Sequence, residues 1–259
     1  MSNQGPTISN HELFVKLAQK IITTLSCLTK EGYVFKVDTR LRPSGNAGPL
    51  VSSLRAFQLY HEERAQVWER QVLLKSRWVA GDKKLGARVL KLIHSSIYQR
   101  PLSIQEIQDV HRLRMRMEDE LAQETDTKFN LKLGQGGIID IQFIVQLLQL
   151  GYGYANRQIR ERDTGRALKK LYNRGMLPEK DYSALVEAWE FLTEIESKIR
   201  IAQDRSLDTL MDDEVQLEAL AKRLAYSYPG SPLSGQKLLE KYKHHTDQVR
   251  QLYLHYFSQ

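Results

Sequence analysis

The chain has 259 residues, 41% of them hydrophobic, with one cysteine and a formal net charge of +7. That length supports one large domain or two small ones with a real core. No apolar run approaches the ~20 residues of a membrane helix, and the lone Cys27 excludes an internal disulfide or a cysteine zinc cluster.

The N-terminus, MSNQGPTISNHE, lacks the basic-then-apolar layout of a signal peptide, so a cytoplasmic location is expected. The positive charge favours acidic partners such as nucleotides. Nucleic acid is disfavoured, because the basic residues are scattered and no basic tract is interleaved with aromatics.

In chain order, residues 11–28 repeat apolar side chains at Leu13, Leu17, Ile21 and Leu25, the spacing of an amphipathic helix. After a turn, GYVFKVDTRLRPSG alternates as a strand over 33–42. Tyr33, Phe35, Val37, Thr39 and Leu41 make a core face, and Val34, Lys36, Asp38, Arg40 and Arg42 make the other. A carboxylate followed by arginines roughly 7 Å apart is suited to an anionic ligand, or to a structural Asp38 to arginine bridge across a sheet. The loop PSGNAGP presents Ser44, Gly45, Asn46 and Gly48, either as amides for phosphate or ribose or as a tight turn.

Helices are expected at 53–64 and 65–79. In the second, Glu69, Lys75 and Arg77 lie near Trp68, as interhelical salt bridges or as nucleotide or partner contacts. From about residue 87 the pattern is helical almost to the end. Ser103 and Glu106 form a capping box opening a helix through 124. The turn KLGQGG precedes IIDIQFIVQLLQL, where Gln142, Gln146 and Gln149 form a polar stripe and Asp140 falls opposite, among Phe143, Ile144 and Leu147. Asp140 either caps that helix or meets a base such as Lys132 or an arginine of the 103–124 helix. Arg112 and Arg116, one turn apart, read as a solvated face or a phosphate site. Helices at 164–175, 179–203, 212–226 and 234–256 follow, with YPGSPLSG as the last loop. A mainly α fold is expected.

One strand cannot make a sheet. The rest of the sheet is expected in a longer parent chain, and the exposed strand edge is expected to make the isolated chain self-associate or fold its N-terminus poorly.

Three segments in order, VFKVDTRLRPSGNAGPLV, LYHEERAQVWERQVLLKSRWVAGD and KLGQGGIIDIQFIVQ, resemble the glutamine synthetase adenylyltransferase family over about residues 11–200. Each half of those enzymes is a nucleotidyltransferase domain followed by a helical bundle, and RLRPSGNAG is more similar to the C-terminal, adenylylating half. The resemblance implies the C-terminal part of a nucleotidyltransferase α/β domain over 1–85 and a helical bundle over 86–259. It implies AMP transfer from MgATP to a tyrosine of glutamine synthetase, or its removal, under a PII signalling protein, in control of nitrogen assimilation. Asp38 matches the third magnesium carboxylate of the family, with Arg40, Arg42, Ser44 and Gly45 toward the nucleotide. Glu69, Lys75, Arg77, Lys132 and Asp140 are then interdomain or supporting residues. Two departures stand out. Gln142 replaces the family's usual Glu, and no Asp-x-Asp occurs anywhere in the chain, Asp212 and Asp213 being adjacent. The chain alone is therefore expected to be inactive, and a non-catalytic helical module contacting glutamine synthetase or PII is the alternative.

Overall fold

The computed structural model describes residues 8–32, 35–203, 208–225 and 234–258. Among these residues it is mainly helical, as expected, with ten α-helices and one two-stranded sheet. The chain divides into two compact units, Met1–Leu73 with Arg77–Ser96, and Leu74–Ser76 with Ile97–Gln259.

The first unit is built on α1 (Asn10–Ser26), α2 (Leu54–Glu63), α3 (Val67–Leu73) and most of α4 (Lys83–Ile97). A capping box opens α1: the Glu12 amide donates to Ser9 Oγ at 3.2 Å, and the Ser9 amide donates to Glu12 Oε2 at 2.9 Å. No residue of α1 is buried. Its expected stripe is present, but Leu13, Leu17 and Ile21 are about half exposed. The helix expected over 65–79 stops at Leu73. The chain must then reverse, through Gly81 at φ +93°, to lay the Trp78 indole on α4 at Gly86. A Cβ at Gly86 would meet Trp78 Cδ1 at 2.3 Å.

The strand expected over 33–42 is not formed among the described residues. Tyr33 and Val34 lie outside them, residues 35–39 form no strand, with the Phe35 amide donating to Leu25 O at 3.0 Å, and a turn begins at Arg40. No partner strand for it is present among the described residues, so no ladder forms, and the Asp38 carboxylate takes the Arg40 amide at 2.9 Å, bending the chain two residues on. The intended core face is open accordingly, with Phe35 63% and Leu41 61% exposed.

The second unit contains α5 (Ile104–Met117), α6 (Ile138–Tyr152), α7 (Thr164–Asn173), α8 (Glu179–Gln203), α9 (Glu214–Ala225) and α10 (Gly235–Phe257). The Ser103–Glu106 capping box opens α5. Beyond Met117 the expected helix widens into a π-type turn, Glu118–Ala122, and ends at Gln123 with φ +50°. α6 is the central element, packed against α7, α8 and α10, with Ile141 and Ile144 fully buried. Its glutamine stripe is not a solvent face: Gln146 and Gln149 are buried, and Gln149 Nε2 donates to the carbonyls of Ile159 at 2.8 Å and Glu161 at 2.7 Å. Two strands the sequence did not signal, β1 (Lys128–Asn130) and β2 (Thr209–Met211), pair antiparallel with Phe129 opposite Leu210. Three residues carry too little alternation to be recognised. Most of the loop YPGSPLSG lies outside the described residues; its Ser234 caps α10.

His245 on α10 is buried against Phe191, at 4.9 Å between ring centroids, and neither ring nitrogen has a hydrogen-bond partner among the described residues. Burial holds its pKa below the ordinary value; Lys241 and His244 add to this and Glu187 opposes it. His61 and His111 are lowered too, first by burial. Protons then bind the unfolded chain more readily, so this stability is present above about pH 6.5 and is lost as pH falls through the depressed folded values. The melting temperature is expected to drop between about pH 7 and 5.5, and His245→Leu to shallow that drop. An unchanged slope in the variant would place the acid sensitivity elsewhere.

Amide exchange tests the unpaired segment. Lys36 to Thr39 have no backbone amide partner among the described residues, so they are expected to exchange fast while Ile141 to Leu150 of α6 exchange slowly. Equal protection of the two segments would reveal pairing, within the chain or with a second copy.

Candidate functional site

Asp38 stands in the open, with its side chain 49% exposed and that of Arg40 73% exposed. Arg40 clamps both carboxylate oxygens: Nε donates to Oδ1 at 3.1 Å and Oδ2 at 3.0 Å, and Nη2 donates to Oδ2 at 2.7 Å. The Arg40 side chain, then its amide, hold the Asp38 pKa down to about 2, so the carboxylate is charged at neutral pH. Arg42 turns away and donates through Nη1 to Thr39 O at 2.7 Å and to Thr39 Oγ1 at 3.1 Å, with Nη2 at 3.4 Å from Gly48 O. It braces the loop rather than the carboxylate.

The loop itself is a tight turn. Ser44 and Gly45 both have positive φ, 59° and 55°. The Gly45 amide donates to Arg42 O at 2.8 Å and the Gly48 amide to Gly45 O at 3.3 Å, so these amides are already used inside the turn. Magnesium asks for several hard oxygens in a near-octahedral set. Asp38 supplies one carboxylate, already doubly bound to Arg40, and no group of three acidic, His or Cys side chains among the described residues could hold a metal ion. The described residues do not by themselves fit the magnesium that the family resemblance implies.

Glu69 and Lys75 have different partners. Buried Glu69 accepts through Oε2 from the Gln66 amide at 2.8 Å and Tyr60 OH at 3.2 Å, which ties α3 to α2. Lys75 donates to Arg162 O at 2.5 Å and Thr164 Oγ1 at 2.9 Å, at the start of α7. Burial lowers its pKa, with Asp163 and Glu161 opposing. Arg77 is exposed.

In the second unit the turn KLGQGG is a packed joint. A Cβ on Gly136, at φ +67°, would come 1.8 Å from Thr246 O of α10, so no side chain fits there. Glu124 accepts the Asn130 amide at 2.7 Å and the Gln135 amide at 3.2 Å. The turn delivers Asp140, fully buried, onto fully buried Arg114 of α5: Arg114 Nε donates to Oδ1 at 2.5 Å, and Nη2 to Gly134 O at 2.9 Å. Asp140 Oδ2 takes the Gly136 amide at 2.8 Å, in the turn before α6; no side chain caps the helix at Gly137, so of the two expected roles the ion pair is the one formed. Arg250 of α10 closes the cluster, with Nη1 at 3.0 Å from Glu118 Oε2 and 3.4 Å from Asp140 Oδ2. Burial pushes the Glu118 pKa up against the pull of Arg114 and Arg250.

Lys132 joins a second network, at 2.8 Å from Glu196 and 3.2 Å from Asp208, and Arg200 bridges the same two carboxylates. Arg112 and Arg116 are exposed and paired along α5 with Asp109 and Glu120. The arginine of the 103–124 helix expected as a partner for Asp140 is Arg114, whereas Glu118, Arg250, Glu196 and Asp208 carried no expectation. Arg114 had a signal, since it falls on the apolar face one turn after Val110, opposite Arg112 and Arg116.

The family model for glutamate-ammonia ligase adenylyltransferase matches residues 2–92, and that for GlnD PII-uridylyltransferase matches residues 107–257. The chain is 34% identical over 208 residues to the bifunctional glutamine synthetase adenylyltransferase/adenylyl-removing enzyme of Pseudomonas aeruginosa, covering 80% of this chain and 21% of that protein. Against the enzyme of the same name from Streptomyces coelicolor it is 35% identical over 237 residues, 92% of this chain and 23% of the relative. For that of Bartonella quintana the figures are 34% over 229 residues, 88% and 24%. The chain belongs to the glutamine synthetase adenylyltransferase/adenylyl-removing enzyme family. It spans about a fifth to a quarter of the length of these relatives.

Removing one partner from a buried ion pair leaves the other charged and uncompensated. Asp140→Ala is expected to cost about 3 kcal/mol in urea unfolding, Glu118 and Gly134 O retaining part of the contact with Arg114. Adding Arg114→Met should recover part of that loss. A cost below about 1 kcal/mol would show that water reaches Arg114.

Proposed function

We propose that this chain serves the adenylylation control of glutamine synthetase, as the part of an adenylyltransferase that follows the first catalytic motif and carries the helical bundle. The observation that carries this reading is the way the two family matches tile the chain, residues 2–92 and 107–257, with the compact units dividing near residue 96 between them. Glutamine synthetase is the proposed protein substrate, ATP the AMP donor with magnesium, and PII a regulatory partner docking on the helical unit. A cytoplasmic location goes with these partners.

Asp38 is the carboxylate this chain would contribute to nucleotide transfer. Its support is physical: it is accessible and ionised, and it sits on a loop braced by Arg42. Its partner Arg40 is exposed, so exchanging that pair for another cation costs little. The absence of Asp-x-Asp from the sequence favours a second reading for the chain acting alone, in which it binds glutamine synthetase or PII without transferring AMP.

Both readings are tested with radiolabelled ATP, magnesium, glutamine synthetase and the purified chain. No label is expected on glutamine synthetase, while calorimetry is expected to detect glutamine synthetase or PII binding. Transfer by the chain alone would refute the incomplete site. Absence of binding to both proteins would remove the family role. In a chain that restores the upstream carboxylates, Asp38→Asn should lower single-turnover transfer by orders of magnitude at an unchanged melting temperature. A destabilised, fully active variant would make Asp38 structural.

A further inference from the structure

A cleft of about 480 Å³ opens in the second unit, within the range of small-molecule sites. Its lining combines the apolar side chains of Leu102, Ile107, Leu147 and Met176 with the polar groups of Asp181 and Tyr256. Tyr256 OH donates to Asp181 Oδ2 at 2.7 Å. Among the described residues no other partner of Asp181 is recorded, so its second oxygen is available.

The electrostatics of this cleft run against those of the whole chain. The net charge of the chain is +7, yet no Lys or Arg lines the cleft, and Asp181 is its one carboxylate. Helix ends add to the effect. α6 contributes Gly151 and Tyr152 from its last turn, α10 contributes His255 and Tyr256 from its own, and Gly175 and Met176 follow the end of α7. Residues at or just past the C-terminal ends of three helices thus line one opening, and such ends carry partial negative charge. Arg160 satisfies Gly153 O at 2.9 Å, just past the end of α6, but does not line the cleft. The positive N-terminus of α8 is met by Glu179 and Asp181 in its first turn. An anion would be repelled here, and a neutral apolar molecule would leave the carboxylate without a new partner.

We propose that this cleft binds a small organic ammonium compound, with its cationic head on the free oxygen of Asp181 and its hydrocarbon body against the apolar lining residues. Tyr152 and Tyr256 supply ring surface on which such a head also gains from cation–π attraction. Burial, then Asp181, push the Tyr256 pKa up, so the phenol stays protonated and keeps donating to the carboxylate. Asp181 therefore stays available as an acceptor while its other oxygen is held in place.

The full chain would be titrated by calorimetry with 2-phenylethylamine and with 2-phenylethanol, which shares its shape but carries no charge. The amine is expected to bind and to raise the melting temperature, the alcohol to do neither, and Asp181→Asn to weaken the amine by at least about tenfold. Tyr256→Phe keeps the charge and frees an oxygen, so its amine affinity should hold or rise. Circular dichroism reports whether each variant folds. Should Asp181→Asn unfold, the amine-to-alcohol comparison and Tyr256→Phe decide. Equal binding of amine and alcohol, no binding of the amine, unchanged amine affinity in folded Asp181→Asn, or a tenfold loss in Tyr256→Phe would each overturn the proposal.

Discussion

A fully buried guanidinium sets the second unit. Arg114 has no contact with water, and its planar fork fixes the directions in which its donors point. Asp140 must lie on one side of it, Gly134 O on another and Glu118 one turn along α5. These requirements join α5, the glycine turn and the start of α6 into one arrangement, and Arg250 extends it to α10. Desolvating two such charges is expensive, and a hydrophobic replacement of similar volume would serve stability as well. What a hydrophobic group would not supply is direction. A shift of α6 by one residue would rotate Asp140 about 100° away from Arg114 and leave both charges buried alone.

The first unit has the opposite balance. Its ion pair, Asp38 with Arg40, is solvated on both sides, and salt screens such pairs. Its first helix buries no residue, and Phe35 and Leu41 face water. Here conformation is local: a carboxylate takes an amide two residues on, Arg42 ties Thr39 to Gly48, and two residues at positive φ turn the chain. Segments held in this way open at low free energy. The exposed carboxylate of Asp38 thus belongs to the first unit, and the fully buried pair of Arg114 with Asp140 to the second.

Helix existence was legible in the sequence because periodicity over many residues averages out local exceptions. α8 was read at its observed bounds, and the Ser103–Glu106 box marked the start of α5. The segment 33–42 misled for the converse reason. Ten alternating residues satisfy a strand template, but that template takes no account of whether a partner strand is present, and among the described residues none is. Asp140 announced itself as a carboxylate on an apolar face, and the arginine helix was among the partners considered. Arg250 could not be found from spacing, since it reaches Glu118 across 132 residues of chain. Long-range polar partners are set by packing, which no local window contains.

The segments that carry the family resemblance therefore fall into two physical kinds. KLGQGG and Asp140 are explained by packing alone: a Cβ at Gly136 would strike the Thr246 carbonyl, and Asp140 neutralises Arg114. They would be required of any protein with this core, whatever it did. VDTRLRPSG is held by local contacts instead, Asp38 taking the Arg40 amide and Arg42 tying Thr39 to Gly48. Asp38 is exposed, its pair with Arg40 adds little to stability, and Phe35 and Leu41 lie open beside it. A charged group kept accessible where folding gains little from it is better explained by what it meets than by what it supports. Packing therefore accounts for Asp140 and leaves Asp38 outside it, a carboxylate that the fold holds in water beside Arg40.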